Sequence, residues 1–197
     1  MNATPVELDG RAETPRGLTD VVGYVADTIS FSRVDGPGNR FVVFLQGCNF
    51  DCAACHNPQT IPGHEPLDGY HPRHLRVDEV LGQIRRAAPF IRGVTASGGE
   101  ATLQPRFLRA LFTAIKQDPE LSHLSCFVDS NGACPQDLWD SLAPVLHGAM
   151  IDLKCMDPDI HREVTGQPND LVLASIEHLV ELDLLYEVRL LLVAGVN

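Results

Sequence analysis

The stretch Gly47-Cys48-Asn49-Phe50-Asp51-Cys52-Ala53-Ala54-Cys55-His56-Asn57 places three cysteines in a CxxxCxxC spacing. Thiolates are soft ligands that suit zinc or an iron–sulfur cluster. A structural zinc site takes four protein ligands, usually as two pairs with a longer stretch between them. Here three ligands lie close together and no second pair follows; His56, adjacent to Cys55, is poorly placed to close a tetrahedron with it. A cubane [4Fe–4S] cluster held by three cysteines leaves one iron open to a substrate, unlike the usual four-cysteine site. A polar loop flanked by Gly and Asn is a poor place for packed core thiols. Cluster and zinc module are thus the two readings, with the cluster favoured. Cys126, Cys134 and Cys155 lack ligand spacing and read as packed thiols.

Three further polar groups recur along the chain. Ser97-Gly98-Gly99-Glu100 combines paired glycines, which let backbone approach a ligand closely, with a carboxylate able to receive an ammonium group. Asp129-Ser130-Asn131-Gly132 and Met150-Ile151-Asp152-Leu153-Lys154 add two more carboxylates and an amine. Singly, each also reads as a turn or a cap. Their meaning depends on the elements that carry them.

Residues 22–29 and 40–46 read as strands joined across Asp35-Gly36-Pro37-Gly38. Val77, Val80, Leu81 and Ile84 fall at helical spacing, and residues 93–97 form a short apolar strand. Pro105 opens a helix carrying Phe107, Leu108, Leu111 and Ile115, and residues 124–129 are the next strand. Pro135 opens another helix, with Leu138, Trp139 and Leu142, before a strand at 149–153. Asp157-Pro158 is an N-cap and first-turn pair for a short helix ending near Gly166. A helix over 169–183 presents Val172, Ile176, Leu179 and Val180 on one face, and residues 186–193 form the last strand.

Strands alternating with helices predict an α/β fold of βαβ units on a parallel sheet. Right-handed crossovers curl such units into a partial (β/α)6-type parallel barrel. The sequence stops directly after a strand with no helix to cover that edge, so the barrel reads as lacking its last β/α unit. The cysteine loop, SGGE, DSNG and DLK all fall at the C-terminal ends of predicted parallel strands. In a parallel barrel those ends share one face, and active sites are built there.

Bulk properties narrow the partners. The 197 residues are 44% hydrophobic and 21% charged, the composition of an ordinary globular chain with one core. A net charge of −11 with no basic stripe argues against nucleic acid. The longest apolar run, residues 190–196, is too short to span a membrane. Residues 1–20 read as a polar arm rather than a signal peptide, which leaves residues 21–197 as the domain and a reducing cytoplasm as the setting. The proline-rich segment 56–75 reads as a long surface connection, with a lid or docking role as the sharper alternative. His64, His71 and His74 within it lack the spacing of a metal site.

CxxxCxxC followed by His-Asn resembles the signature of the radical S-adenosylmethionine (SAM) superfamily. The longer string DGPGNRFVVFLQGCNFDCAACHNPQT, residues 35–60, resembles its glycyl-radical-enzyme activating branch. The resemblance covers about residues 25–197 and implies a [4Fe–4S] cluster on Cys48, Cys52 and Cys55. It implies that Ser97, Gly98, Gly99 and Glu100 bind the methionine amino group of S-adenosylmethionine. Asp129 and Asp152, with the backbone oxygens of Ser130 and Met150, are then a monovalent-cation site, since a cation between two carboxylates relieves their repulsion. Lys154 would pair with the cofactor or with these carboxylates, a catalytic as well as a binding role, and Arg189 would lie near the cofactor. Ala101 stands where the family usually has proline, and Ala54 where an aromatic residue usually precedes the third cysteine.

The activity implied is reductive cleavage of S-adenosylmethionine to a 5′-deoxyadenosyl radical, which takes a Cα hydrogen from a glycine of a partner glycyl radical enzyme. An electron donor such as flavodoxin or ferredoxin is implied with it. The alternatives are an activase of anaerobic ribonucleotide reductase, a radical enzyme modifying a peptide or small molecule, and a non-catalytic zinc-binding module. If the natural chain stops at Asn197, a folded but inactive barrel is a further alternative.

Overall fold

The computed structural model describes residues 17–61, 70–192 and 195. Strands β1 (Val22–Ser32) and β2 (Arg40–Leu45) are antiparallel neighbours. The turn between them needs Gly36 and Gly38, whose φ angles of 117° and 72° favour a residue without Cβ. A short strand, β3 (Arg73–Arg76), pairs antiparallel with β1 inside the segment read from sequence as a surface connection. Only Leu75 of its four residues is buried, and His74 stacks on Tyr24 with ring centroids 4.6 Å apart. Residues 62–69 of that segment, with His64, and residues 1–16 of the predicted arm lie outside the described residues.

The rest follows the predicted alternation. Helix α1 (Val77–Ala87) leads to β4 (Gly93–Gly98), α2 (Pro105–Gln117) to β5 (Ser125–Ser130), and α3 (Gln136–Leu142) to β6 (Gly148–Leu153). Two helices, α4 (Pro158–Thr165) and α5 (Asp170–Glu181), precede β7 (Leu185–Leu190). The seven strands lie in the order β3-β1-β2-β4-β5-β6-β7, and β2, β4, β5, β6 and β7 run parallel. The expected parallel β/α sheet is present, with an antiparallel pair added at one edge. Among the described residues, no helix is long and apolar enough to cross a membrane.

Local chemistry sets the boundaries. Pro105 occupies the start of α2, where a missing N–H costs nothing. The Asp157 side chain accepts from the N–H groups of Asp159 and Ile160, and Gly166 ends α4 at φ 77°. The helices bury Ile84, Leu108, Leu111, Trp139 and Leu179 against Val94, Val128 and Ile151 of the sheet. In α5 the buried stripe is Val172, Ser175 and Leu179, while Val180 is 60% exposed, contrary to the predicted face. A polar contact turns the helix: Ser175 Oγ accepts from Trp139 Nε1 at 2.9 Å and donates to Gly132 O at 2.6 Å.

The opposite face of the sheet mixes polar groups with Val42, Phe127 and Met150. Arg40 is 0% exposed, and its guanidinium lies 4.6 Å from the Phe127 ring centroid. All five of its N–H donors are used: Nε on Thr95 Oγ1, Nη1 on Pro37 O and Ser125 Oγ, Nη2 on Val94 O and Ser125 O. Burial pulls its pKa down to about 10, which leaves it charged at neutral pH. Arg40 thus fills the N-terminal end of the parallel strands, and the cysteine loop sits at their C-terminal end.

Candidate active site

The cysteine loop leaves β2 at Gly47, whose φ is 100°. Its backbone is tied down on two sides. Gly47 N donates to Thr60 O at 2.8 Å and Cys48 N to Ile61 O at 3.2 Å. Asp51 N and Ala53 N donate to Thr165 O and Val164 O, each at 2.9 Å. The last carbonyls of a helix have no intrahelical partner, so the end of α4 offers acceptors that the loop uses. Phe50 is buried and meets the fully buried His161 of α4 edge-on at 5.6 Å.

The Ser97–Glu100 turn lies directly beneath the loop. Gly99 N donates to Leu45 O at 2.9 Å and Glu100 N to Gly47 O at 2.7 Å. A Cβ on Gly98 would meet Leu45 backbone atoms at 2.2 Å, and one on Gly99 would meet Gly47 O at 2.2 Å. The paired glycines therefore serve a close approach, as expected, but the partner in the structure is the end of β2 and the cysteine loop.

Glu100 is 1% exposed, and its carboxylate receives four donors: Thr102 N at 2.8 Å, Thr102 Oγ1 at 2.7 Å, Ser130 Oγ at 2.8 Å and Asn131 N at 2.7 Å. Burial raises its pKa while those four donors oppose the rise. The group expected to receive a ligand ammonium is thus already engaged, bracing β5 against the turn.

Asn131 and Asn49 complete this bracing, and sequence reasoning assigned neither a role. Asn131 Nδ2 donates to Asn49 Oδ1 at 2.8 Å, and Asn49 Nδ2 donates to Ala133 O at 2.9 Å. The only hint in the sequence was the place of Asn131 within DSNG.

Cys48, Cys52 and Cys55 are each half-buried and free of disulfides, whereas Cys126 and Cys134 are buried. Cys155, read as packed, is half-buried. Burial, with Glu100 nearby, pushes the Cys48 thiol up to about 12. Burial also raises Cys52, against the pull of Lys154. A bound metal or cluster would favour the thiolate form of these groups. Among the described residues, no three His, Cys, Asp or Glu side chains converge at the spacing of a single metal ion. The donor set, three reachable thiols on one anchored loop, fits a cluster.

Beside the loop lie two acid–base pairs. Lys154 Nζ donates to Asp152 Oδ2 at 2.6 Å, and Arg189 Nη1 to Asp129 Oδ1 at 3.0 Å. Ser97 Oγ donates to Asp129 Oδ2 at 3.1 Å, and Arg189 also bonds Glu187 and reaches Met150 Sδ at 3.0 Å. Strand alternation puts Met150 and Asp152 on the face that carries Asp129 and Arg189. Burial pulls the Arg189 pKa down, but Asp129 and Glu187 outweigh it and leave it raised. Asp129 and Asp152 thus share one face of the sheet, each with a basic partner; Ser130 Oγ donates to Glu100.

Asp129 carries a pH signature. Its side chain is 15% exposed, and burial, with Asp152 adding and Arg189 opposing, pushes its pKa up to about 6. The unfolded value is ~3.9. The folded state holds the proton more tightly, so stability is greatest below ~3.9 and falls as pH rises towards 6. The expected loss across that window is about 2 kcal/mol, and Asp129→Asn removes that slope. Urea unfolding of the metal-free chain between pH 4 and 7 measures it; an unchanged slope in the variant refutes the assignment.

Comparison with known proteins agrees with this geometry. A pyruvate formate-lyase-activating enzyme of Streptococcus mutans is 36% identical over 182 residues, spanning 90% of this chain and 68% of the relative. That of Staphylococcus epidermidis is 32% identical over 185 residues, spanning 89% and 70%. The crystal structure of QueE from Escherichia coli shares the fold at a TM-score of 0.56, with 14% identity and coverage of 92% and 90% of the two chains. The family model for the Radical SAM superfamily matches residues 42–197, from within β2 through the cysteine loop to the last residue; the chain belongs to that superfamily, whose members use a [4Fe–4S] cluster and S-adenosylmethionine.

Proposed function

We propose that the chain is the activase of a glycyl radical enzyme, with its cluster on Cys48, Cys52 and Cys55. The observation that carries this reading is the hydrogen-bonded unit of cysteine loop, Gly-Gly-Glu turn and DSNG segment at the C-terminal end of the parallel strands, with two acid–base pairs beside it. When bound, the cluster supplies the electron that splits S-adenosylmethionine into methionine and a 5′-deoxyadenosyl radical, which then takes hydrogen from a partner's glycine.

The chain's own residues bind and orient. The methionine end of S-adenosylmethionine is a zwitterion, and the pairs Asp129–Arg189 and Asp152–Lys154 offer charges of both signs. Asp129 is costly to ionise where it lies, and an incoming cation offsets that cost. The cation is the ligand ammonium or a monovalent ion shared with Asp152 and the backbone oxygens of Ser130 and Met150. Ser97, Gly98, Gly99 and Glu100 form the floor of the site, with Glu100 holding it rigid. The unit doing this is the domain of residues 21–197.

The similarity to pyruvate formate-lyase-activating enzymes supports a protein client of that class; a flavodoxin or ferredoxin as electron donor and a cytoplasmic setting complete the proposal. The test is anaerobic reconstitution, reduction with dithionite and assay of 5′-deoxyadenosine release. Electron paramagnetic resonance with a candidate client then seeks the glycyl radical. Iron and sulfide with both products is the expected result. Zinc alone, or no nucleoside release, overturns the reading; release without a glycyl radical in any client overturns the activase assignment.

A further inference from the structure

Among the described residues, two N–H groups are aimed at one sulfur: Phe50 N lies 3.4 Å from Cys48 Sγ, and Asn131 Nδ2 lies 3.9 Å from it. The first is a backbone group within the loop. The second arrives from the residue that follows β5, across the site.

The orientation of the Asn131 amide follows from its partners. Its Oδ1 accepts from Ala133 N at 2.9 Å, and a backbone N–H can only donate, so Nδ2 must face the other way. One Nδ2 hydrogen goes to Asn49 Oδ1 at 2.8 Å, and the other is left on the side of Cys48 Sγ. Asn49 cannot flip either, because its own Nδ2 donates to Ala133 O at 2.9 Å. The Asn131 backbone is held by Glu100 at 2.7 Å, and the residue is 8% exposed. The amide is thus clamped at both side-chain ends and at its main chain, and cannot rotate away from the sulfur.

Hydrogen bonds to ligating sulfurs are among the features that set the potential of an iron–sulfur cluster. A donor stabilises negative charge on the thiolate, so it favours the reduced state. Nearby, Glu100 acts on Cys48 with the opposite sign. We propose that Asn131 is a positioning residue that makes the cluster on Cys48 easier to reduce, by donating its Nδ2–H to the ligating sulfur. This rests on the cluster assignment above.

The test uses the full chain, reconstituted anaerobically without S-adenosylmethionine. Iron and sulfide content are measured, and the cluster is titrated with dithionite under electron paramagnetic resonance. Asn131→Leu removes the donor at similar volume. Asn131→Asp keeps the acceptor for Ala133 N, removes the donor and adds a charge. Asn49→Ala breaks the loop link, while Ala133 N on Oδ1 and Glu100 on the main chain still hold the donor.

The expected result is full cluster content with reduction about tenfold less favourable in Asn131→Leu, a shift of about 59 mV for one electron. The shift is larger in Asn131→Asp, and Asn49→Ala stays within about twofold of the parent. Wild-type potential in both Asn131 variants overturns the proposal, as does loss of the cluster from both, since either leaves the residue as a brace only. A shift in Asn49→Ala equal to that of Asn131→Leu overturns it too, by assigning the effect to loop position. A parent protein that takes up no iron and sulfide fails the cluster assignment itself, a separate outcome read before any variant.

Discussion

Alanine at Cys48, Cys52 or Cys55 is expected to abolish iron–sulfur uptake and to reduce 5′-deoxyadenosine release to background, while Cys155→Ala leaves both at the parent level. The three thiols are the only soft donors in residues 47–57. His56 follows Cys55 directly, and its imidazole is a harder ligand than a thiolate. Cys155 is equally half-buried, yet it lies beyond β6, where its carbonyl receives Asn169 Nδ2 at 3.2 Å. Comparing the four variants separates ligation from the mere possession of an accessible thiol. Iron and sulfide per chain, with nucleoside release, provide the measurement. Cleavage retained in any of the three loop variants sinks the cluster assignment.

The largest expected effect on folding is at Glu100. Removing the carboxylate leaves Thr102 N, Thr102 Oγ1, Ser130 Oγ and Asn131 N as buried donors without their acceptor. Each orphaned group costs about 1–3 kcal/mol, partly recovered because a buried charge has also gone. Glu100→Ala is therefore expected to destabilise the metal-free chain by roughly 3–5 kcal/mol, or a fall in Tm of about 10 °C. Glu100→Gln should cost less, since its amide oxygen can keep one set of donors while its NH2 opposes the other. Denaturant unfolding of the apo chain distinguishes these values. A loss under about 1 kcal/mol for alanine would show that the carboxylate is dispensable to the turn.

The fold was readable wherever local chemistry agreed with tertiary packing. Apolar spacing marked α1 and α2, Pro105 and Asp157-Pro158 marked helix starts, and Gly166 marked an end. β3 was not readable, because Arg73-His74-Leu75-Arg76 has no apolar alternation; pairing with β1 and the His74–Tyr24 stack hold it. In α5, Val172, Ile176 and Leu179 face the core as read, but Val180 is exposed and Ser175, bonded to the indole of Trp139, is buried.

At the site, the cysteines and the placement of three motifs on one end were legible from spacing and strand order. The partners of Glu100 were not. A carboxylate next to glycines looks available in sequence, and only the folded chain brings Ser130 and Asn131 within reach of it. Arg40 shows the same limit: an arginine opening a strand looks exposed, yet it plugs the sheet. Asn49 and Asn131 are 82 positions apart, and no local pattern joins them.

The anchoring of the cysteine loop on the end of α4 has a consequence for biosynthesis. Asp51 and Ala53 need acceptors from Val164 and Thr165, more than 100 residues later in the chain. At translation rates of about 5–20 residues per second, those acceptors emerge on the order of ten seconds after the loop. Until then the nascent chain presents three thiols on an unfixed segment, open to oxidants and to stray metal. Fixing of the loop is thus tied to completion of a helix encoded far downstream.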